Sequence, residues 1–472
     1  MSARDRSWTV GPALLWFSGC LIAALWLFDG GIGAIADRFT AARVAQAAPT
    51  PAAGPTFAAK SVATAEASGP RAGAEIAEPD EVKPAIVTTA RDKVGALEDT
   101  CLDGTPERCK KWAMDGFYRA YGEARAKKLG HALRVSWYGD SVIATDAIPG
   151  HLRTLLQAEL GDGGPGFVFA QPPHRFCGHD AIVRGSTGTW STHAITTLQV
   201  ADGLYGVGGS TTDTDDGRVS IKLVAGTASR AELYFLAQPH GGTATITADG
   251  KPIATAQTAG DRKEPGWASG AIEGGAKKFD VAASGRVRLF GLALENDTGA
   301  TVDNLGVVSV NVKSFNANNP EHFTAEVAHR GADLVMIMIG ANEAQWLGPT
   351  DHDTQTYAEH YGKMLALVRK ARPDGSCLVV SPTDQAEAKD GDYPSRPVMP
   401  VLVAAQRAAA QQNGCGFFST YAWMGGKGSA VKWFRTGLVG TDFQHLSRKG
   451  ANRLSEAVYA TLKAGYDNYA KH

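Results

Sequence analysis

Two short stretches of this 472-residue chain carry side chains that together can perform acyl transfer. Gly139-Asp140-Ser141 ends an apolar run, Leu133 to Tyr138, and precedes Leu152, Leu155, Leu156 and Leu160 at helical spacing. A strand, a tight turn and a helix in that order set the Ser141 hydroxyl at the carboxyl edge of a sheet, where open α/β folds bind ligands. Far along the chain, Asp442-Phe443-Gln444-His445 supplies a carboxylate and an imidazole just before the last helix. An imidazole can take the serine proton and hand it to the leaving group, while a carboxylate fixes its tautomer and steadies the imidazolium. Each stretch also has a plainer use, Ser141 as a helix cap and the Asp442/His445 pair as a cap beside a surface histidine.

Acyl transfer further needs donors aimed at the oxygen that becomes negative. Gly306, in Asn304-Leu305-Gly306-Val307, offers a backbone N–H with no side chain in the way, and Asn342, in Gly340-Ala341-Asn342-Glu343, offers an amide. Both also fit ordinary turns. No paired CxxC and no HExxH occurs, so neither a protein-ligated catalytic metal nor a cofactor is expected. Asp213, Asp215 and Asp216 cluster in a segment that reads as an acidic surface turn, with calcium as the alternative. Trp190, Tyr205, Trp267 and Trp346 are of a type that stacks on sugar rings and equally of a type that packs in cores. A formal net charge of −1 leaves no basic excess to neutralise phosphates, which argues against a nucleic-acid partner.

These residues need a sheet to hold them. After a helix predicted over Pro106 to about Gly130, around a Cys101/Cys109 turn, come the Leu133 strand and its helix (99–165). From about Asn304 the alternation resumes: a strand around Leu305–Val310, a helix from Pro320 to His329, the strand Asp333–Ile339, a helix from Thr356 to Lys370 and a strand from Cys377. A helix from Val401 to Gln412, a short strand near Gly416 and a last helix from Lys449 to Ala464 complete 300–472. Uniformly apolar strands between amphipathic helices predict a parallel sheet covered on both faces. Residues 166–299 differ. Runs such as Arg218–Val224, Ala231–Ala237 and Arg286–Glu295, and a hairpin turning at Asp249-Gly250, predict an inserted all-β sandwich.

The N-terminal region is of another kind. Trp8 to Phe28 carries no charge over about twenty residues and follows Arg4 and Arg6, which predicts a transmembrane anchor (1–34) with the bulk of the chain exported to the periplasmic or extracellular side. Cleavage after Ala45-Gln46-Ala47 and lipidation at Cys20 are the alternatives. Residues 35–98, dominated by Ala, Pro, Thr and Gly, read as a disordered linker. Five of the six cysteines follow the anchor. Cys101 with Cys109, and Cys377 with Cys415, are plausible disulfide pairs in an oxidising compartment, buried free thiols being the other reading, and Cys177 is left over.

Taken together, these blocks resemble the SGNH, or GDSL, hydrolase superfamily. Ser141, with its neighbours Gly139 and Asp140, matches the family's first block, Gly306 its oxyanion glycine, Asn342 its oxyanion asparagine, and Asp442 and His445 its DxxH pair. The resemblance implies a three-layer α/β/α flavodoxin-like sheet and a serine esterase using Ser141, Asp442 and His445, its oxyanion held by the N–H groups of Ser141 and Gly306 and the Asn342 amide. GANEA in place of GxND, and the stretch from Gly139 to Val168, resemble the subgroup acting on O-acetylated peptidoglycan and related polysaccharides. Val142 stands where that subgroup often has histidine. The implied substrate is an acetylated cell-envelope polysaccharide; acetyl transfer by the same triad and a catalytically silent glycan-binding protein are the competing readings, and no oligomeric state is implied.

Overall fold

Every residue from Leu133 to Gly139 except Arg134 is buried, and the run is rich in β-branched and aromatic side chains, the pattern of a strand covered on both faces. In the computed structural model, which describes residues 97–348 and 350–471, this strand lies inside a six-stranded sheet. Its strands are β1 (Leu97–Glu98), β2 (Leu133–Gly139), β3 (Ala300–Gly306), β4 (Leu334–Met338), β5 (Ser376–Val380) and β6 (Gly416–Phe418). They are ordered β1-β6-β5-β4-β2-β3, and all neighbours are parallel except β1 with β6. Alternation along β4 divides the core. Leu334, Met336 and Met338 pack with α1 (Asp115–Arg125), α3 (Ala147–Leu160) and α9 (Arg448–Tyr469). Val335 and Ile337 enter the core on the other face, under α5 (Pro320–Arg330), α7 (Asp351–Ala371) and α8 (Met399–Gln412). Short helices α2 (Ser141–Ala144), α4 (Val312–Phe315) and α6 (Glu343–Trp346) stand at the carboxyl ends of the strands.

The segment before β2 departs from the predicted long helix. Pro106–Arg108 forms a single 3₁₀ turn, Lys111–Trp112 pairs back onto Cys101–Asp103, and α1 begins only at Asp115. The Cys101–Cys109 disulfide and the reversal at Gly104, φ 106°, fold the chain into a hairpin that a helix would have to break. The second disulfide joins Cys377 to Cys415, at the starts of neighbouring strands β5 and β6, and Cys177 is a buried free thiol. Trp8–Phe28 and residues 35–96 of the predicted linker lie outside the described residues, whereas Leu97–Glu98, read as the linker's end, are ordered by pairing with Phe417–Phe418; among the described residues no helix is long and apolar enough to cross a membrane.

The intervening residues form two antiparallel sheets face to face. One runs Glu264–Ala276, Ala228–Ala237, Val287–Glu295, Ser210–Thr214, Ser191–Ala194, with Gly166–Phe169 also paired to Val287–Glu295. The other runs Lys251–Gln257, Thr243–Ala248, Lys278–Ser284, Arg218–Leu223, Ile182–Thr187, and the hairpin turns at Asp249-Gly250. Leu233 and Phe235 point into the sandwich core, whereas their neighbours Tyr234 and Leu236 join the core beneath α5 and α7. The first sheet is therefore apolar on both faces, one shared with the α/β part.

Buried charge seals that junction. Arg330, at the end of α5, donates to Asp303 on β3 at 2.8 Å and to Glu295, the last residue of its sandwich strand, at 2.6 Å. Arg134 on β2 pairs with Glu295 at 2.7 Å, while Ser136 Oγ and the Phe167 N–H also donate to Asp303. Burial alone would raise both carboxyl pKa values, but the guanidinium of Arg330 holds them below their usual range. Arg330→Leu should therefore cost about 3–5 kcal/mol at neutral pH, because it strands two buried carboxylates. Carboxylates with depressed folded pKa values stabilise above the unfolded pKa and lose that contribution as pH falls through the folded value. The difference in urea midpoint between wild type and variant should accordingly narrow below about pH 4.

Candidate active site

Ser141 is the first residue of α2, and Asp140 caps that helix, its Oδ1 accepting the Val142 N–H at 3.0 Å. The other oxygen of Asp140 accepts the Ala341 N–H at 3.2 Å, so one buried carboxyl binds the serine turn to the segment carrying Asn342. Burial pushes its pKa up to about 6 against the lowering effect of those N–H groups. The Ser141 N–H itself, at the open end of the helix, has no acceptor among the described residues.

Asp442 and His445 arrive from the loop before α9. His445 Nε2 lies 2.7 Å from Ser141 Oγ, and His445 Nδ1 lies 2.6 Å from Asp442 Oδ2. The remaining oxygen of Asp442 accepts the N–H groups of Gln444 and His445, each at 3.0 Å, and Phe443 turns the loop at φ 53°. Burial raises the Asp442 pKa, but the His445 ring and these N–H groups outweigh it and hold the carboxyl below its ordinary value. An ionised Asp442 fixes the proton on Nδ1, leaving Nε2 to accept from the Ser141 hydroxyl. The His445 and Asp442 side chains are 42% and 51% exposed, so the constellation opens directly to solvent.

The expectation of a free N–H at Gly306 is not met. Gly306 ends β3, and its N–H donates to Asn304 Oδ1 at 3.0 Å. It stands where a side chain cannot, because a Cβ there would lie 2.3 Å from the Ala144 nitrogen. The strand predicted through Val310 ends at Gly306. Val307 N–H returns to Gly139 O at 2.9 Å, Val310 N–H bonds Val307 O at 3.1 Å, and Ser309 occupies the left-handed region at φ 66°. Ser309 is exposed and its N–H has no acceptor among the described residues. Its β-branched neighbours hide this turn in sequence; the one visible cue is Asn304 two residues before Gly306. Asn342 donates one amide hydrogen to Val310 O at 2.8 Å and keeps the second. Its neighbour Glu343 is buried and accepts the Val312 N–H at 2.8 Å, so consecutive residues grip both ends of the segment after Ser309.

Comparison with known proteins agrees with this architecture. Residues 271–453 match the model of the GDSL-like lipase/acylhydrolase family, a span containing Gly306, Asn342, Asp442 and His445 but beginning after Ser141. Over that span the chain is similar to GDSL-like lipases and acylhydrolases. A solved peptidoglycan O-acetylesterase shares its fold, at TM-score 0.63 and 21% identity over 74% of this chain and 95% of that one. An acetylxylan esterase from Geobacillus stearothermophilus aligns at 22% identity over 34% of this chain and 73% of its own, with a TM-score of 0.26 that carries no structural argument. No curated protein matches the chain.

Elsewhere on the chain, Asp213 pairs with Arg288 at 3.3 Å in the acidic segment of the sandwich. Of the four aromatics singled out in sequence, Tyr205 is buried, Trp190 Nε1 bonds Thr187 O, and Trp267 stacks on His329 with centroids 3.8 Å apart. Trp346, at the end of α6, is 59% exposed.

The sequence departure at Glu343 has a measurable signature. Burial lifts its pKa from 4.5 to about 7, the charge on Asp140 adds to the rise, and its Oε2 has no partner. A carboxyl whose folded pKa is raised stabilises fully below its unfolded value and loses that contribution as pH climbs through the folded one. Glu343→Gln cannot ionise, so between pH 5 and 8 it should gain on wild type by up to about 3 kcal/mol, read from urea midpoints. Identical pH profiles for the two proteins would mean that Glu343 is already ionised at pH 5.

Proposed function

We propose that this hydrolase removes O-acetyl groups from a cell-envelope polysaccharide, with Ser141 as nucleophile, His445 as general base and then acid, and Asp442 as its orienting carboxylate. The observation that carries the reading is the unbroken relay of 2.7 Å from Ser141 Oγ to His445 and 2.6 Å from His445 to Asp442. Ser141 Oγ bonds to the acetyl carbonyl carbon as its proton passes to His445 Nε2. The tetrahedral intermediate then expels the sugar oxygen, which takes that proton from the imidazolium. Water, activated by the same imidazole, releases acetate from the acetyl-enzyme and restores Ser141. The exposure of His445 gives water a direct path to it.

The developing oxyanion is held by the Ser141 N–H, the free hydrogen of the Asn342 amide and the Ser309 N–H, which takes the part that Gly306 cannot play while bonded to Asn304. The substrate class is supported by the fold shared with a peptidoglycan O-acetylesterase and by the residue pattern around Ser141 and Asn342. Two disulfides fit an oxidising compartment. In this reading Trp8–Phe28 anchors the chain in the cytoplasmic membrane, and the linker after it holds the hydrolase clear on the exported side.

Acetate release from 4-nitrophenyl acetate and from O-acetylated peptidoglycan tests this directly. Ser141→Ala should fall to background and lose labelling by a fluorophosphonate, and Asn342→Ala should lower kcat by about 10²–10³ with the fold unchanged by circular dichroism. Wild-type rates in either variant would refute the assignment.

A further inference from the structure

We propose that the acetylated sugar is presented from the interior of a glycan chain, with its neighbouring rings resting on two exposed aromatic side chains, Trp346 and Phe176, on opposite flanks of Ser141. The inference rests on the esterase reading and adds how the polymer is recognised. In the sheet, β2 lies between β4 and β3, so whatever follows β4 and whatever covers the end of β3 must flank the serine turn from opposite sides.

On the β4 side, Trp346 closes α6, which begins directly after Asn342. One helical turn separates the two residues, roughly 5 Å along the axis. Gln345 Nε2 donates to Gln444 Oε1 at 3.0 Å, locking this helix to the loop that holds His445. On the β3 side, Phe176 sits on a loop pinned over the strand end. Asn304 Nδ2 donates to Gly178 O and to Ala144 O, Gly178 N–H donates to Ala144 O at 2.9 Å, and the buried Cys177 Sγ lies 3.7 Å from Gly306 O. Ala144 ends the helix that Ser141 begins.

Both side chains are more than half exposed, Trp346 at 59% and Phe176 at 55%. One exposed aromatic alone is ordinary, but a pair on opposite flanks of one reaction centre is the arrangement a binding cleft uses. Tyr393 and Phe434, nearer Asp442, each pack on the Phe443 ring, and Phe176 itself packs on His174 at 5.2 Å and under the Arg175 guanidinium at 4.8 Å while staying more than half exposed. A pyranose offers an apolar C–H face to an aromatic ring while its hydroxyls stay in water, the pairing an exposed indole or phenyl group suits best. Two platforms with the serine between them fit a chain continuing in both directions, whereas a terminal sugar would occupy only one. The exposure of His445 and Asp442 leaves room for such a strand to cross.

The test uses the full chain with 4-nitrophenyl acetate and with O-acetylated chito-oligosaccharides of increasing length. For wild type, kcat/KM should rise about tenfold or more between the single sugar and the tetrasaccharide. Trp346→Ala should erase most of that gain through KM, Phe176→Ala a smaller part, and Trp346→Phe should restore some of it, while all three hydrolyse the aryl acetate at the wild-type rate. A wild type with no length dependence, or a Trp346→Ala variant that keeps it, overturns the platforms while leaving the esterase reading standing. A wild type that cleaves the aryl acetate but frees no acetate from any oligosaccharide overturns the glycan reading, and the platforms with it.

Discussion

The approach of two backbones at the carboxyl ends of β2 and β3 governs this site. Gly139 and Gly306 are register partners, and a Cβ on Gly306 would lie 2.3 Å from the Ala144 nitrogen, just as one on Gly139 would lie 2.2 Å from Ile143 Cγ1. Only residues without side chains let α2 settle across both strand ends, which aims Ser141 outward and leaves its N–H at the helix opening. The same closeness explains why Gly306 is not a donor: backbone packed this tightly must satisfy its own hydrogen bonds, and the Asn304 amide does so from within. In the proposed mechanism the donor position shifts to the turn that follows, where Ser309 bears the left-handed conformation.

Holding that turn falls to buried acids. Asp140 binds the serine turn to Ala341, and Glu343 binds Val312, so the β2, β3 and β4 ends are cross-tied by carboxyl groups that burial drives toward neutrality. A protonated carboxyl keeps its hydrogen-bonding capacity without the desolvation cost of a charge, which suits a dry scaffold under a wet triad. Asp442 is held the opposite way, ionised and half exposed, as the proposed stabilisation of an imidazolium that forms and vanishes requires.

What could be read from sequence follows the same division. The convergence of Ser141, Asp442 and His445 was legible because few other uses combine those side chains in that order. The sandwich was legible through its two-residue period and its Asp249-Gly250 turn. Backbone roles were not. Val307-Val308-Ser309-Val310 has strand-like composition, yet after Val307 N–H bonds Gly139 O the chain turns at once, Val310 N–H closing onto Val307 O with Ser309 left-handed. The helix expected from Pro106 failed for a related reason: local propensity favours it, but a covalent link between Cys101 and Cys109 outranks propensity.

The sandwich raises a question of tolerance, since it separates Ser141 from every other site residue. Its two ends answer it. Asp162 bridges Ala300, Gly163 N–H bonds Ala300 O at 3.2 Å, and Ala300 N–H bonds Gly161 O at 3.1 Å, so the chain leaves the α/β part and returns to it at one point. An insertion whose ends already touch strains neither β2 nor β3 and adds only loop-closure entropy, which grows slowly with length. Yet Tyr234, Leu236 and Phe290 complete the core under α5, and Glu295 joins the Arg330 cluster beneath β3. Excising the insert would therefore expose apolar surface and strand buried charge directly under the strand that ends at Gly306, which makes the sandwich part of what keeps the site in register.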